Sequence, residues 1–354
     1  MRINIKKLVL LIICLLPLMS ASCSLFSTPS AGVMATSNGG VDWQGSNKLK
    51  DGTGSILGLS VSKLAFDPQG SDVLYASGYN GGIYASHDGA NSWEEILGLI
   101  PVMDFVIHPN DNQTIYAGGL FEERGRALVT RDGGKSWNAI YTASSSNSAV
   151  RSIALNPASP EQIAIGLAQG ELILSNDGGA TWRLAQSYND RINKVIWTYE
   201  GIYVVVKGTG ISKSVDGGNS FQLITSNLQS PGNTSTLAIF GSSVSSFNQL
   251  AVSQNNSSVL YMTTNLGLYR SNNSGGSWSF VPMPLRQTSV TPMAVAIAPN
   301  SDNVVYVSAG TIIYKTADGG NTWSASDSGA GKLISALLVD PNLPQVAYAG
   351  GYIE

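Results

Sequence analysis

The sequence predicts an all-β fold in which seven four-stranded blades close into a β-propeller, and two observations support this prediction. The chain has 354 residues, of which only 12% are charged and 39 are Gly. Together with many β-branched and aromatic residues, this composition is typical of an ordered, turn-rich β protein and not of a disordered chain. In addition, a short motif recurs along the chain, with strand-like runs between its copies.

The motif has the form Ser/Thr-x-Asp-Gly-Gly-x-Ser/Thr-Trp, and successive copies end 39 to 57 residues apart. A repeat of this length indicates an array of similar supersecondary units. The seven copies, which we call the motif hairpins, are TSNGGVDW at Thr36–Trp43, SHDGANSW at Ser86–Trp93, TRDGGKSW at Thr130–Trp137, SNDGGATW at Ser175–Trp182, SVDGGNSF at Ser214–Phe221, SNNSGGSW at Ser271–Trp278 and TADGGNTW at Thr316–Trp323.

Most intervals between the motif hairpins contain three β-rich runs. In the first complete interval these runs are Leu64–Asp67, Val73–Ala76 and Gly82–Ala85, and Trp93 opens a fourth. Four short strands per repeat are typical of a propeller blade.

The two ends of the repeat region are predicted to share the last blade. Leu333–Val339 and Val346–Gly351 supply its first two strands, and Gly32–Ala35 supplies the third. This pairing removes sheet edges that would otherwise invite aggregation. The predicted organisation is a signal peptide at residues 1–22, a tether at 23–30 and a propeller at 31–354.

The first segment has the features of an export signal. Arg2, Lys6 and Lys7 precede the apolar run Leu8–Met19, which is too short to span a hydrocarbon core of about 30 Å. Removing these three cations from the 20 basic residues leaves 17 against 23 acidic residues, a net charge of −6. Such a chain lacks the basic surface that nucleic acid needs, so we expect no nucleic-acid partner.

Cys23 is the single cysteine that remains after signal cleavage, because Cys14 lies within the signal. An intramolecular disulfide is therefore not expected. The small residues Ser20–Ser22 before Cys23 resemble the lipobox of bacterial lipoproteins, in which the cysteine is acylated. The resemblance implies lipidation at Cys23 and a position on the extracytoplasmic face of the cell membrane. Ordinary cleavage that leaves a free thiol is the alternative.

The motif hairpins resemble the Asp-box, or bacterial neuraminidase repeat, over nearly all of the chain after residue 30. The Asp carboxylate can accept hydrogen bonds from the turn, the Gly pair permits positive φ, and the Trp ring is buried between blades. Calcium binding is the alternative, but each copy offers a single carboxylate. The structural residues are therefore predicted to be Asp88, Asp132, Asp177, Asp216 and Asp318 with Trp93, Trp137, Trp182, Trp278 and Trp323.

Asp-box propellers include sialidases, xyloglucanase-type glycosidases, sortilin-type receptors and the photosystem II stability and assembly factors. The assembly factors are single seven-bladed propellers that bind partner proteins without catalysis. Similarity to them implies a monomeric scaffold, without cofactor or metal, that binds a protein partner or a cell-surface glycan. A glycoside hydrolase of the sialidase or xyloglucanase type is the alternative. His87 and His108 are isolated in the sequence, so neither a metal site nor a serine triad is expected.

The binding site is predicted on the face that carries the loops between second and third strands, because departures from the repeat cluster there. One departure is the insertion Phe121–Arg126, and Arg151 lies near the same face in the next blade. Aligned first strands also point polar side chains into the central channel, although a water-filled pore is the alternative. The candidate binding residues are Glu122, Glu123, Arg124, Arg126, Arg151, Lys63, Asp104, Lys194 and Gln249.

Overall fold

The structure is a computed structural model that describes residues 32–226, 228, 244–285 and 290–353. Every helix or strand within these residues is a β-strand, and the strands form seven four-stranded antiparallel sheets. The predicted all-β, seven-bladed propeller is therefore confirmed. The predicted signal peptide at 1–22 and the tether at 23–30, with Cys23, lie outside the described residues. Within the described part, we find no helix with the length and hydropathy needed to cross a membrane.

The strands are short, and most have between 4 and 9 residues. In chain order they are β1 (Gly32–Thr36), β2 (Gln44–Gly45), β3 (Val61–Asp67), β4 (Gly70–Gly78), β5 (Gly81–Ser86), β6 (Glu94–Leu97), β7 (Val102–His108), β8 (Asp111–Phe121), β9 (Arg124–Thr130), β10 (Asn138–Ser146), β11 (Val150–Asn156), β12 (Ser159–Leu167), β13 (Glu171–Ser175), β14 (Arg183–Ser187), β15 (Ile192–Thr198), β16 (Gly201–Val206), β17 (Gly210–Ser214), β18 (Gln222–Leu223), β19 (Phe247–Val252), β20 (Leu260–Thr264), β21 (Gly267–Ser271), β22 (Ser279–Val281), β23 (Pro292–Ile297), β24 (Val305–Ala309), β25 (Ile312–Thr316), β26 (Ser324–Asp327), β27 (Leu333–Val339) and β28 (Ala347–Tyr352).

Blades 1 to 6 each use four consecutive strands, beginning with β3, β7, β11, β15, β19 and β23. The first strands of neighbouring blades contact one another around the central channel. Blade 7 has the strand order β2-β1-β28-β27, and Met34 of β1 lies opposite Ala349 of β28. This confirms the shared last blade. Asn47 holds β1 from the other side, because its amide exchanges hydrogen bonds of 2.7 and 3.1 Å with the backbone of Val33.

The hydrophobic core consists of seven clusters, and each joins two neighbouring blades. In one cluster, Tyr75 and Ile83 of blade 1 pack against Phe105 and Ile115 of blade 2. Apolar burial is the dominant favourable term in folding. Because each blade buries its apolar surface against its neighbours, we expect closure of the ring to be needed for stability.

The strand connections divide the propeller into two faces. The motif hairpins join third and fourth strands, so they share one face, the motif face, with the turns between first and second strands. The opposite face, the link face, carries the turns between second and third strands and the links between blades. The predicted insertion lies on the link face as a longer β8–β9 hairpin, in which Glu122 and Glu123 form the turn. Phe121 is 5% exposed and packs in the core instead of facing solvent.

Candidate functional site

The motif hairpins contain a closed hydrogen-bond network. In the copy on blade 2, Thr130 Oγ1 donates to Asp132 Oδ1 at 2.7 Å and accepts from the N–H of Gly134 at 2.9 Å. Ser136 donates its N–H to Asp132 Oδ1 and its hydroxyl to Oδ2, at 2.9 and 2.6 Å. These bonds, the Ser136 hydroxyl first, lower the pKa of Asp132 to about 2 because they favour the ionised form. Both carboxylate oxygens are thus used within the turn.

The same network recurs where Asn replaces Asp. Asn273 Oδ1 accepts the N–H of Ser277 at 2.8 Å, and its amide donates to the Ser277 hydroxyl at 3.1 Å. The turn therefore forms without a charge at this position. The carboxylates of the remaining copies accept equivalent bonds, namely those of Asp88, Asp177, Asp216 and Asp318. Over the described residues, no group of three potential metal ligands occurs.

The Trp residues of the motif hairpins connect neighbouring blades. Trp43 donates its indole N–H to Ser326 Oγ at 3.1 Å, and each of the other five donates to a backbone carbonyl on the outer side of the preceding blade, at 2.7 to 3.0 Å. These residues are Trp93, Trp137, Trp182, Trp278 and Trp323. Trp93 is completely buried, whereas the other four are partly exposed. In blade 4, Phe221 occupies the position and has no N–H to donate.

A cavity of about 360 Å³ lies in the central channel, on the side of the link face. Its charged lining is entirely cationic in the described structure and consists of Lys63, Arg151, Arg191 and Lys194. The neutral lining includes Tyr79, Met103, Asn193, Asn248, Gln249 and Met293. The whole chain has a net charge of −3, so the channel concentrates positive charge within an acidic protein. We call this cavity the channel site.

Asp104 lies beneath the channel site and is 1% exposed. Its carboxylate oxygens are 2.9 Å from Lys63 Nζ and 2.8 Å from Lys194 Nζ. It also accepts hydrogen bonds from the hydroxyl of Ser152 at 2.7 Å and the N–H of Ile153 at 3.1 Å. The four partners belong to blades 1, 3 and 4, whereas Asp104 itself belongs to blade 2. One carboxylate therefore connects four blades at the channel wall.

The two lysines determine the ionisation of Asp104. Burial alone would raise the pKa of this carboxyl, but Lys194 and Lys63 outweigh burial and hold it well below its usual range. Burial also lowers the pKa of Lys63 to about 8, against the opposing effect of Asp104. An ionised and fully hydrogen-bonded carboxylate is a poor general acid. Two cations share one anion here, so positive charge is left over at the cavity wall.

The two arginines of the channel site lack carboxylate partners in the described structure. Arg151 Nη1 lies 3.9 Å from Met103 Sδ, and its buried Nε has no hydrogen-bond partner among the described residues. Arg191 is exposed, and its Nε donates to Asn193 Oδ1 at 3.0 Å. Arginine donors in this state are suited to charge-assisted hydrogen bonds with an oxyanion.

The structure brings five of the nine predicted binding residues together. Lys63, Arg151, Lys194 and Gln249 line the channel site, and Asp104 lies directly beneath it. Asp104 itself is absent from the described cavity lining, because Lys63 and Lys194 lie over its carboxylate. Gln249 Oε1 accepts the N–H of Val295 at 2.9 Å, so this amide also links blades 5 and 6.

The β8–β9 hairpin does not join the channel site. Its residues Glu122, Glu123, Arg124 and Arg126 are absent from the described cavity lining. Arg126 Nη2 pairs with Glu122 Oε2 at 2.6 Å, and Arg124 Nη1 lies 3.5 Å from two backbone carbonyls of β10. The Arg126–Glu122 ion pair and the Arg124 contacts thus lie within blade 2, separate from Arg151 in blade 3.

Sequence reasoning missed two residues that line the channel site, Arg191 and Tyr79. Arg191 lies in the link before β15, outside the alignment of first strands, and its only signal was its proximity in sequence to Lys194. Tyr79 lies in the turn after β4 and contacts Tyr352 edge to face, with ring centroids 5.6 Å apart. These two rings meet only because blade 7 closes the ring.

Comparison with known proteins identifies distant relatives. An oligoxyloglucan-reducing end-specific xyloglucanase of Emericella nidulans is 23% identical over 202 residues. That match includes 44% of this chain but only 25% of the relative, so this chain spans about a quarter of the enzyme's length.

Solved structures share the fold. The GH74 xyloglucanase from Xanthomonas campestris superposes with a TM-score of 0.66 at 17% identity, covering 91% of this chain and 52% of the enzyme. YCF48 bound to D1 peptide superposes with a TM-score of 0.60 at 16% identity, covering 83% of this chain and 94% of YCF48. At such identities the likeness establishes architecture and not function.

A family model places the chain more closely. The model for Sortilin-Vps10, described as sortilin, neurotensin receptor 3, matches residues 81–264. This match runs from the start of β5 to the end of β20 and includes just over half of the chain. The chain therefore belongs to the Sortilin-Vps10 family.

Proposed function

We propose that this protein is an exported, lipid-anchored, non-catalytic scaffold that binds a protein partner or a cell-surface glycan on its link face. The observation that carries the proposal is the channel site, where four cations line one cavity and the nearby carboxylate, Asp104, is buried and ion-paired. Glycoside hydrolysis requires two carboxyl groups about 5 to 9.5 Å apart. The described channel instead offers groups suited to binding.

The comparisons are consistent with a binding role. YCF48 was solved with a bound D1 peptide, and its chain is matched over 94% of its length. The description of the family model names a receptor, the neurotensin receptor 3. Export and anchoring rest on the N-terminal sequence, in which an apolar run precedes Cys23. We also propose that the motif hairpins are Asp-boxes with a structural role, because the carboxylates accept their hydrogen bonds within each turn.

A glycoside hydrolase is the second candidate. The match to the Emericella nidulans xyloglucanase and the TM-score of 0.66 with the Xanthomonas campestris enzyme favour it. Incubation of the purified protein with xyloglucan oligosaccharides and sialosides distinguishes the two candidates. We expect no release of reducing sugar or sialic acid above the heat-inactivated control, and reproducible release would contradict the scaffold proposal.

Partner capture tests the scaffold directly. Protein immobilised through a residue of the motif face should retain a specific component of its native membrane fraction, and the double variant Arg151→Met/Arg191→Gln should lose it. Lys135→Ala, on the motif face, is the matched control and should capture normally. Loss of capture in the control with normal capture by the double variant would place the binding face on the opposite side.

Membrane anchoring is tested at Cys23. Acyl chains contribute about 0.8 kcal/mol per buried CH₂, so the wild-type protein should sediment with membranes and Cys23→Ser should be released. A wild-type protein recovered wholly in the soluble fraction would contradict lipidation.

A further inference from the structure

A second cavity lies on the motif face, where blades 7 and 1 meet. Asn38 and Asp42 of the blade 7 hairpin line one side, and Gly89 and Asn91 of the blade 1 hairpin line the other. Its volume of about 300 Å³ is at the lower end of the range for ligand sites, about 300–1,000 Å³. We call this cavity the seam pocket, and its lining shares no described residue with that of the channel site.

A departure from the repeat explains why the space between the hairpins is open here. In blades 1, 2, 4 and 5, the third residue after the motif is Ile or Val, and it lies so close to a Gly of the next hairpin that a Cβ there would clash with it. These pairs are Ile96 with Gly134, Ile140 with Gly179, Ile224 with Gly275 and Val281 with Gly320. In blade 7 the equivalent residue is Ser46, which lines the seam pocket and donates its hydroxyl to the carbonyl of Ala90. The smaller side chain leaves space that a branched side chain fills in those four blades.

The hairpin of blade 7 also carries its carboxylate at a different position. In the other six hairpins the seventh residue is Ser or Thr, whereas in blade 7 it is Asp42, and Asn38 stands at the usual Asp position. Asn38 Nδ2 donates to Asp42 Oδ2, and Asn38 Oδ1 accepts the N–H of Asp42, both at 3.0 Å. The turn is therefore closed as in the other blades. Asp42 Oδ1, unlike either oxygen of Asp132, has no hydrogen bond with the described residues.

The seam pocket has an uncompensated negative charge. Asp42 is the one charged residue of its described lining, and this exposed side chain forms no ion pair within the described structure. Asn91 donates its Nδ2 to the carbonyl of Asp88, which leaves its Oδ1 as an acceptor. Gln44 adds a further amide oxygen, and Val346 adds apolar surface. The pocket thus combines one carboxylate with neutral acceptors and an apolar wall.

We propose that the seam pocket binds a primary ammonium group, such as that of a lysine side chain or a small alkylamine. An ammonium has three N–H donors and no acceptor, so it complements a lining that offers free acceptors. Its bond to Asp42 is charge-assisted and therefore stronger than a bond between neutral groups. An anion would be repelled by Asp42, and a neutral group would leave its charge uncompensated.

This proposal goes beyond the proposed function, because it does not involve the link face. The turn networks of the other hairpins keep their structural role, since the carboxylate of the seam pocket is one that the motif lacks. The pocket is confined to the contact between blades 7 and 1.

The test is calorimetric titration of the purified protein in a buffer without amines. Nα-acetyl-lysine amide is compared with Nα-acetyl-norleucine amide, which keeps the hydrocarbon stem and lacks the ammonium. Ethanolamine represents a small amine, tetramethylammonium a cation without N–H donors, and calcium chloride an inorganic cation. These arms distinguish a lysine side chain, a small amine and an unselective attraction of cations.

We expect at least one primary amine to bind at least tenfold more tightly than the norleucine derivative and tetramethylammonium. Its affinity should fall as sodium chloride is added. Asp42→Ser should weaken binding at least tenfold. This variant restores the residue of the motif, and the hydrogen bonds between Asn273 and Ser277 in blade 5 show that the turn closes with the same two residue types. An unchanged melting temperature would show that its loss of binding is not a loss of fold.

Two further variants sharpen the test. Ser46→Val introduces the branched side chain that Val281 supplies in blade 5, and it should weaken binding at least tenfold by filling the pocket. Asp72→Ser is the matched control, because it removes an exposed carboxylate of blade 1 that does not line the pocket, and it should bind as the wild type does. If Ser46→Val does not fold, Asp42→Ser decides.

Three outcomes would overturn the proposal. They are no saturable binding of any primary amine up to about 50 mM; equal affinity for the lysine and norleucine derivatives, or tighter binding of tetramethylammonium or calcium than of any primary amine; and wild-type affinity in Asp42→Ser. Partner capture on the link face is measured with the arginine variants, so its failure would not affect the seam pocket. Failure of the amine titration would likewise leave the scaffold proposal standing.

Discussion

The motif face and the channel site are both polar, but they differ in how their polar groups are satisfied. On the motif face, the two oxygens of Asp132 accept bonds from the same turn, and the arrangement recurs in other blades. In the channel site, one carboxylate serves two lysines, and Arg151 keeps a buried donor without a partner among the described residues. Buried polar groups in folded proteins are usually hydrogen-bonded. Polar groups repeated in every blade therefore build the blades, whereas we propose that the cations confined to one sector of the channel serve binding.

The channel site is also asymmetric around the ring. Its cations come from blade 1 (Lys63), blade 3 (Arg151), blade 4 (Lys194) and the link before blade 4 (Arg191). On the opposite side the lining is neutral and includes Gln249 and Met293. A seven-fold repeated scaffold thus presents one charged sector in its channel.

Opening the ring should have the largest effect, because both regions depend on closure. Deletion of residues 333–354 removes β27 and β28 and leaves β1 without its main partner. The unpaired strand edges should cause aggregation. Size-exclusion chromatography and thermal melting check this outcome, and a soluble monomer with a cooperative melt would contradict the shared blade.

Removing the carboxylate beneath the channel site should have the next largest effect. Asp104→Ala leaves Lys63 and Lys194 without their counter-charge, and breaking a buried ion pair costs about 3–5 kcal/mol. Urea unfolding measures the loss. The triple variant Asp104→Ala/Lys63→Met/Lys194→Met removes the uncompensated charges and should recover part of it. A single variant as stable as the wild type would mean that Asp104 does not hold the four blades together.

A smaller effect is expected on the motif face. Thr130 is 1% exposed, and Thr130→Val removes a hydroxyl that both donates to Asp132 and accepts from Gly134. Leaving these groups unsatisfied should cost about 1–3 kcal/mol, while Thr130→Ser keeps the hydroxyl and serves as the control. Ligand binding should be unchanged below the melting temperature. A Thr130→Val variant that stays fully stable but loses its ligand would show that the motif face is functional.

The pH dependence of stability should separate the two regions. The hydrogen bonds of the turns lower the pKa of Asp132 and Asp177 to about 2, below the ordinary value of about 3.9, so their contribution is present above about pH 4 and is lost as the pH falls to 2. For Lys63, the pKa of about 8 lies below the ordinary 10.5, so the unfolded chain binds more protons between these values and stability rises with pH there.

Two variants show which residues cause the loss of stability at acid pH and the gain of stability at alkaline pH. Unfolding free energies from pH 2 to 9.5 should show a shallower acid loss for Asp132→Asn and a missing alkaline gain for Lys63→Met. Identical profiles for wild type and Lys63→Met between pH 8 and 9.5 would contradict the lowered pKa of this lysine.

The repeat made the fold predictable from the sequence, whereas part of the channel site comes from segments that lie outside the repeat. The spacing of the motif predicted seven blades, and the alignment of first strands placed Lys63, Lys194 and Gln249 in the channel. That alignment could not show Arg191, which lies in an irregular link, or the contact between Tyr79 and Tyr352, which ring closure creates.

The β8–β9 hairpin shows a second limit of sequence reasoning, because its charges were visible but their pairing was not. The insertion is visible as a departure from the repeat, but the pairing of Arg126 with Glu122 is a property of the β8–β9 turn geometry. Its two turn residues, Glu122 and Glu123, adopt φ values of 52° and 63°, a region that non-glycine residues seldom occupy. A cluster of charges in sequence therefore did not indicate which charges are free.

The division between a structural motif face and a binding channel site is tested most directly by one paired capture experiment. Capture of a component of the native membrane fraction is compared between the wild type, Arg151→Met/Arg191→Gln and Thr130→Val, at a temperature at which all three are folded. The account predicts loss of capture for the arginine variant and wild-type capture for Thr130→Val. Wild-type capture by the arginine variant, together with loss of capture by Thr130→Val, would contradict it.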